Sequence, residues 1–199
     1  MEKLFVVTPV LHAWTAKMDF SPNEFFWDDV SVPKDIDVGY TLRIKYLRMK
    51  EIHVDYFRSS TPIVSEKVKR LCDEFGVNCQ FVPVKIWVNK WQSDTLFYFL
   101  LLRDFVSIVD EDQSTYEIWQ DRVTGENSYY TNFPDMPEFK KITNLVLKDK
   151  STPNFFMAPE IGSRVCTERF KKETEKTGLK GIIFEELTPD FRYDPLPFL

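Results

Sequence analysis

The sequence predicts an α+β fold in which a mainly antiparallel sheet, or two small sheets, carries two related helix–strand units joined by long loops. Three observations lead there: a repeated capped helix, short runs with strand periodicity, and connecting stretches rich in proline and polar residues. Residues 61–84, TPIVSEKVKRLCDEFGVNCQFVPV, return in degenerate form at 166–187 as CTERFKKETEKTGLKGIIFEEL. Ser65–Gly76 and Thr167–Gly178 align without a gap. Each copy opens on a hydroxyl residue able to cap a helix, followed by Glu66 or Glu168, whose charge suits the positive end of the helix dipole. Each closes on a glycine able to take the left-handed conformation, Gly76 or Gly178, with an apolar, strand-like segment after it.

The two helices should differ in burial. The first carries Val64, Val68, Leu71, Cys72 and Phe75 at helical spacing, one stripe suited to resting on a sheet. The second keeps only Phe170, Thr174 and Thr177 on the matching face, and pairs Glu168 with Lys172, Arg169 with Glu173 and Lys171 with Glu175. That pattern reads as a solvated surface helix, with a recognition surface as the alternative.

The strand signals follow in chain order. LFVVTPV at 4–10 is short and β-branched, with Pro9 placing an edge or an end there. Residues 20–34, FSPNEFFWDDVSVPK, set an aromatic cluster beside acids, either packed under a loop or offered as a contact patch. TLRIKYLR at 41–48 alternates, with Leu42, Ile44 and Tyr46 on one face, and IHVDYF at 52–57 suggests a further strand. Gln80–Val88 alternates again, Pro83 arguing for an edge or a bulge, with Trp87 and Trp91 at its end. The most apolar run, 95–114, fits a strand pair better than a helix on its aromatic and β-branched content, and ends in the acidic turn Asp110–Asp112. Residues 121–141 and 151–163 read as loops, 142–148 as a strand, and the proline-bearing tail TPDFRYDPLPFL as an extended surface segment.

At 199 residues and six glycines, without a flexible linker, the chain is expected to form a single domain over 1–199, with 1–115 and 116–199 as its two lobes if it divides. Aromatic residues make up 16%, which calls for an aromatic core or an aromatic contact face. A net charge of −5 disfavours nucleic acid and favours basic partners. Cys72, Cys79 and Cys166 lack CxxC spacing and read as reduced thiols, Cys72 on the buried stripe. MEKLFVVTPVLHAW has too short an apolar run for a signal or membrane segment, so a cytoplasmic, soluble protein without membrane contact is expected.

Catalytic signatures are sparse. His12 and His53 belong to no HExxH or His–Cys spacing, and no GxSxG, GxxxxGK[ST] or GxGxxG occurs. DEDQST lacks the alternating oxygens and central glycine of a calcium loop. No catalytic, cofactor or metal residue is therefore assigned, and an enzyme is not expected. A general protein-interaction or small-ligand module with an aromatic pocket is the alternative reading, and an unrecognised carboxylate enzyme the third.

IVSEKVKRLCDEFGVNCQFVPV, followed by YFLLLRDFVSIVDEDQS and the closing VCTERFKKETEKTGLKGIIFEEL, resembles a bacterial immunity-protein family encoded beside polymorphic toxins. The shared motifs are a Ser-Glu-x-hydrophobic-Lys helix leading to a Phe-x-Pro-Val strand, a hydrophobic segment ending in Val-Asp, and a closing helix before a Phe-Glu strand. The resemblance covers residues 61–187 and implies a cytoplasmic, non-catalytic protein that occludes a cognate toxin. An acidic protein would meet a basic toxin face. From composition alone, the candidate anchors are Trp27, Trp91 and Trp119, with Asp28, Asp29, Glu111 and Asp112 as a charged rim.

Overall fold

Both copies of the repeat form the expected helix, closing glycine and strand, and only the second uses its hydroxyl residue as a side-chain cap. The structure, a computed structural model, describes residues 2–10, 17–21, 39–45, 52–57, 61–130 and 133–194. In chain order the elements are β1 (Leu4–Pro9), β2 (Lys17–Ser21), β3 (Tyr40–Lys45), β4 (Tyr56–Phe57), β5 (Ile63–Ser65), α1 (Glu66–Glu74), β6 (Cys79–Val88), β7 (Trp91–Gln92), β8 (Phe97–Leu102) and β9 (Thr115–Ile118). There follow β10 (Tyr129–Tyr130), β11 (Phe133–Pro137), β12 (Phe139–Asn144), β13 (Phe155–Ala158), a 3-10 turn at Pro159–Ile161, β14 (Ser163–Thr167), α2 (Glu168–Lys176) and β15 (Ile182–Glu186). The fold is α+β and mostly sheet, as the sequence predicts.

Each helix ends alike. Gly76 (φ 60°) and Gly178 (φ 67°) are left-handed, and the next amide reaches back five residues, Val77 N to Cys72 O at 2.9 Å and Leu179 N to Thr174 O at 3.4 Å. The starts differ in one respect. Thr167 Oγ1 accepts from Phe170 N at 3.4 Å, whereas Ser65 makes no side-chain cap and instead donates its hydroxyl to Asp55 Oδ1 at 2.7 Å. Burial follows the expected contrast: Val68, Leu71 and Cys72 are buried on α1, Phe170 and Thr174 on α2, while Thr177 is exposed. Glu168–Lys172 and Lys171–Glu175 pair as expected; Glu173 is met by Lys176, and the Arg169 guanidinium lies over the Phe75 ring at 5.2 Å.

The repeat extends further than the sequence shows. β4 and β5 form an antiparallel hairpin ahead of α1, and β13 and β14 form its counterpart ahead of α2. Ser65 N donates to Asp55 O at 2.8 Å, and Thr167 N to Asn154 O at 3.0 Å. The first helical amides match too, Glu66 N bonding Leu96 O and Glu168 N bonding Lys3 O. The four-stranded sheet runs β13-β14-β1-β15, and the core of the seven-stranded sheet runs β4-β5-β8-β6 before continuing through β3 to β2. The strand lying between the hairpin and the post-helix strand is β8 in one unit and β1 in the other, antiparallel to both neighbours each time. Two equivalent units are thus present, with the chain entering them at different points. The β3–β6 ladder is the only parallel one among the described residues.

The inner faces of the two sheets and both helices share one buried cluster. Phe5, Phe155, Cys166 and Phe170 from one unit meet Tyr56, Val64, Leu71, Cys72 and Leu100 from the other. Phe170 stacks on Phe155 at 5.0 Å and meets Phe75 edge-on at 5.2 Å. Hydrogen bonds cross the same junction: Lys180 N donates to Asp55 Oδ2 at 2.9 Å, and Asn154 Nδ2 to Phe75 O at 3.5 Å. Gly181 (φ 88°) fits closely there, since a Cβ would stand 2.5 Å from Tyr56 O. The outer face of the larger sheet carries a second core around Leu42, Ile63, Val82 and Phe99; that of the smaller sheet packs Leu4, Val6 and Val165 against Ile108, Phe139 and Ile142.

Several expectations are corrected. The run 95–114 is one strand, β8, followed by an irregular stretch held by single bridges at Phe105–Met157 and Val109–Leu147. Residues 121–141, read as loops, contain β10, β11 and the start of β12, so the strand expected at 142–148 begins earlier and ends at Asn144. Residues 151–163 hold all of β13, which fits between Asn154 and Pro159 and so escapes both breakers. Only Tyr56–Phe57 of 52–57 is strand. Pro83 lies inside β6, but β3 pairing begins one residue later at Val84, so up to Pro83 the strand has β8 alone beside it among the described residues. The tail is not wholly a surface segment, because Phe191 and Tyr193 pack on the Phe139–Ile142 core and Tyr193 bridges Ile142. Tyr46, His12 and the 22–34 stretch lie outside the described residues.

Candidate partner-binding surfaces

Among the described residues, exposed large apolar side chains gather on two surfaces, with Ile183 on β15 standing apart from both. The first stands at one end of the seven-stranded sheet. Asn89, in the left-handed conformation asparagine tolerates (φ 57°), turns β6 into β7 and hangs Trp91 out of the sheet. Trp91 is 52% exposed, with Lys90 Nζ 5.4 Å from its ring centre, and Leu96 nearby in sequence is 62% exposed. Between them and the 52–55 segment run two adjoining grooves of about 440 and 430 Å³ that share Ile52, His53 and Thr95. Glu66 lines the second; the Tyr98 hydroxyl donates to its Oε2 at 2.8 Å and holds its carboxyl below the usual range. His53 is exposed and stands among no metal-binding cluster of the described residues.

The second surface is the excursion between β8 and β13. Asp110 shapes its first turn by accepting Asp112 N at 3.1 Å and Gln113 N at 3.2 Å on Oδ1, so the acidic run is a capped turn with Glu111 and Asp112 pointing to solvent. Burial raises the Tyr116 phenol, and the charges of Glu111 and Asp112 raise it further, which places the acidic turn beside Tyr116. At the far end of β9, Trp119 is half-buried under Lys140, whose Nζ sits 5.9 Å from the ring centre and 3.0 Å from Glu117 Oε2. That ion pair keeps the Glu117 carboxyl low.

The sequence-derived candidates therefore separate. Glu111, Asp112 and Trp119 flank one strand of the two-stranded β9–β12 sheet, while Trp91 belongs to the seven-stranded sheet. Trp27, Asp28 and Asp29 lie outside the described residues. Leu96, Val123 (93% exposed) and Tyr129 (51% exposed) were not singled out from the sequence. Val123 lies in DRVTGEN, a run whose composition marks a turn without showing whether its lone aliphatic residue is covered.

A family model described as an immunity protein family, Imm11, matches residues 32–188, which is most of the chain and includes the first unit and all of the second except β1. No curated protein matches it. The capped-helix units that the resemblance drew on lie inside that span, and the chain belongs to the Imm11 immunity protein family.

Proposed function

We propose that this protein binds a cognate bacterial toxin and neutralises it by occlusion, acting in the cytoplasm as the immunity partner of a polymorphic toxin used in interbacterial competition. The family match over residues 32–188 carries this reading. It is supported by the arrangement of the second surface, where a half-buried tryptophan and an acidic turn flank one strand in the manner of an anchor with a charged rim. Contacts through Trp91, Trp119, Glu111 and Asp112 belong to the proposal, as does a toxin face that is basic around its rim. The net charge of −5 would speed encounter with such a face and lose that advantage as salt rises. Inhibition by coverage asks no chemistry of the protein. No described helix is long and apolar enough to cross a membrane.

The test is co-expression with the neighbouring open reading frame, followed by co-purification. Growth arrest by the neighbour should be relieved and a one-to-one complex recovered; full arrest in the presence of abundant, folded protein would reject the proposal.

A further inference from the structure

The two units share hairpin, helix and strand, but the β9–β12 excursion has no counterpart in the first unit. Its body covers the outer face of the smaller sheet through Ile108, Phe139 and Ile142, so its exposed tip is where a function specific to one partner would be added. Its tip, residues 121–126, projects from the ladder that joins Trp119 to Ser128 (Ser128 N to Trp119 O, 2.7 Å). Asp121 Oδ1 accepts Val123 N at 2.8 Å and Thr124 N at 2.7 Å, which holds that carboxyl below its usual range. Gly125 N returns to Asp121 O at 2.9 Å, Asp121 N reaches Glu126 O at 2.9 Å, and Gly125 takes the left-handed turn position (φ 73°). Gln120 Nε2 bonds Asn127 Oδ1 at 3.2 Å across the base.

The tip is thus fixed by its own hydrogen bonds while its side chains are left to solvent. Val123 is 93% exposed, the most exposed of the large apolar residues among those described. Arg122 makes no ion pair among the described residues, and Asp121, the acid next to it, is already engaged by backbone amides. Tyr129, half-exposed, and Trp119 stand at the base. A pre-formed loop that presents an apolar side chain and an unpaired guanidinium loses little freedom on binding, the property that turns contact into affinity.

We propose that the 119–129 hairpin is the inhibitory element: Val123 and Arg122 enter a concave site on the toxin that offers an apolar wall and a carboxylate, with Trp119 and Tyr129 closing its mouth. The inference rests on the immunity reading and deepens it. It also sets the charge pattern of the partner, a basic rim facing Glu111 and Asp112 around an interior carboxylate facing Arg122.

Binding of Val123→Asp, Arg122→Glu and wild type to the purified toxin is compared by calorimetry, with thermal melting of each protein alone. Because both side chains are free of the fold, melting should be unchanged, and each variant should bind roughly tenfold or more weakly, as loss of a central contact does. Restoring affinity to Arg122→Glu by reversing a carboxylate in the toxin would identify the group it meets. Unchanged affinity in both variants beside a wild-type complex would overturn the hairpin assignment and leave the immunity reading standing. Absence of the wild-type complex would remove both.

Discussion

Glu160 shows how one side chain joins distant parts of the chain. It sits in the 3-10 turn between β13 and β14, fully buried, and its Oε1 accepts Ile108 N at 2.8 Å and Val109 N at 3.4 Å. The excursion is pinned to the smaller sheet at this point. Oε2 is buried without a hydrogen-bond partner, and burial pushes the carboxyl above its ordinary range against the pull of the Ser107 hydroxyl and the backbone amides. The folded protein then holds this proton more tightly than the unfolded chain. Its contribution is complete in acid, below the unfolded value of about 4.3, and declines as pH rises from there through the folded value. Replacing it with glutamine keeps the acceptor and abolishes the ionisation. Urea titrations over a pH series should show Glu160→Gln gaining on wild type with rising pH, whereas Glu160→Ala, which orphans two buried amides, should stay about 1–3 kcal/mol below Glu160→Gln at every pH. A pH-independent difference for the glutamine variant would dismiss the ionisation account.

At the level of elements, the two units are stitched together through Asp55 and Asn154, the residues that open β4 and β13. Asp55 binds Ser65 within its own unit and Lys180 N of the other; Asn154 takes the Thr167 hydroxyl at 3.1 Å and reaches Phe75 O. The asparagine bonds are longer and uncharged, so Asp55→Ala should cost more stability than Asn154→Ala, within the roughly 1–3 kcal/mol expected for a buried partner left unmet. Denaturant midpoints of the two variants decide it; an equal or reversed order would mean that the clasps are incidental. Cap and glycine made both helices readable because their signals are local. The hairpins before them were not, for Asp55-Tyr56-Phe57 and Asn154-Phe155-Phe156 are too short for periodicity and the second is hemmed by prolines. Among the surface candidates, tryptophans beside acids stood out by composition, but Val123 becomes notable only once a structure shows that nothing covers it.

For the whole molecule, the shared cluster between the sheets bears on how the chain unfolds. Phe170 belongs to the second unit yet touches both Phe155 and Phe75, and helices from both units pack in the same layer. Neither unit can leave without exposing the other's inner face, which argues for one cooperative domain and against lobes that open independently near residue 115. We propose that the protein unfolds in a single transition. Trp87, half-buried in the larger sheet, and Trp119, in the excursion, report on the two regions separately once the other tryptophans are replaced by phenylalanine. Their fluorescence midpoints in urea should coincide. Phe170→Ala should then lower both together, by the roughly 3–5 kcal/mol typical of a buried aromatic removed from a core. Separate midpoints, or a loss confined to the Trp119 signal, would show two lobes with independent stability.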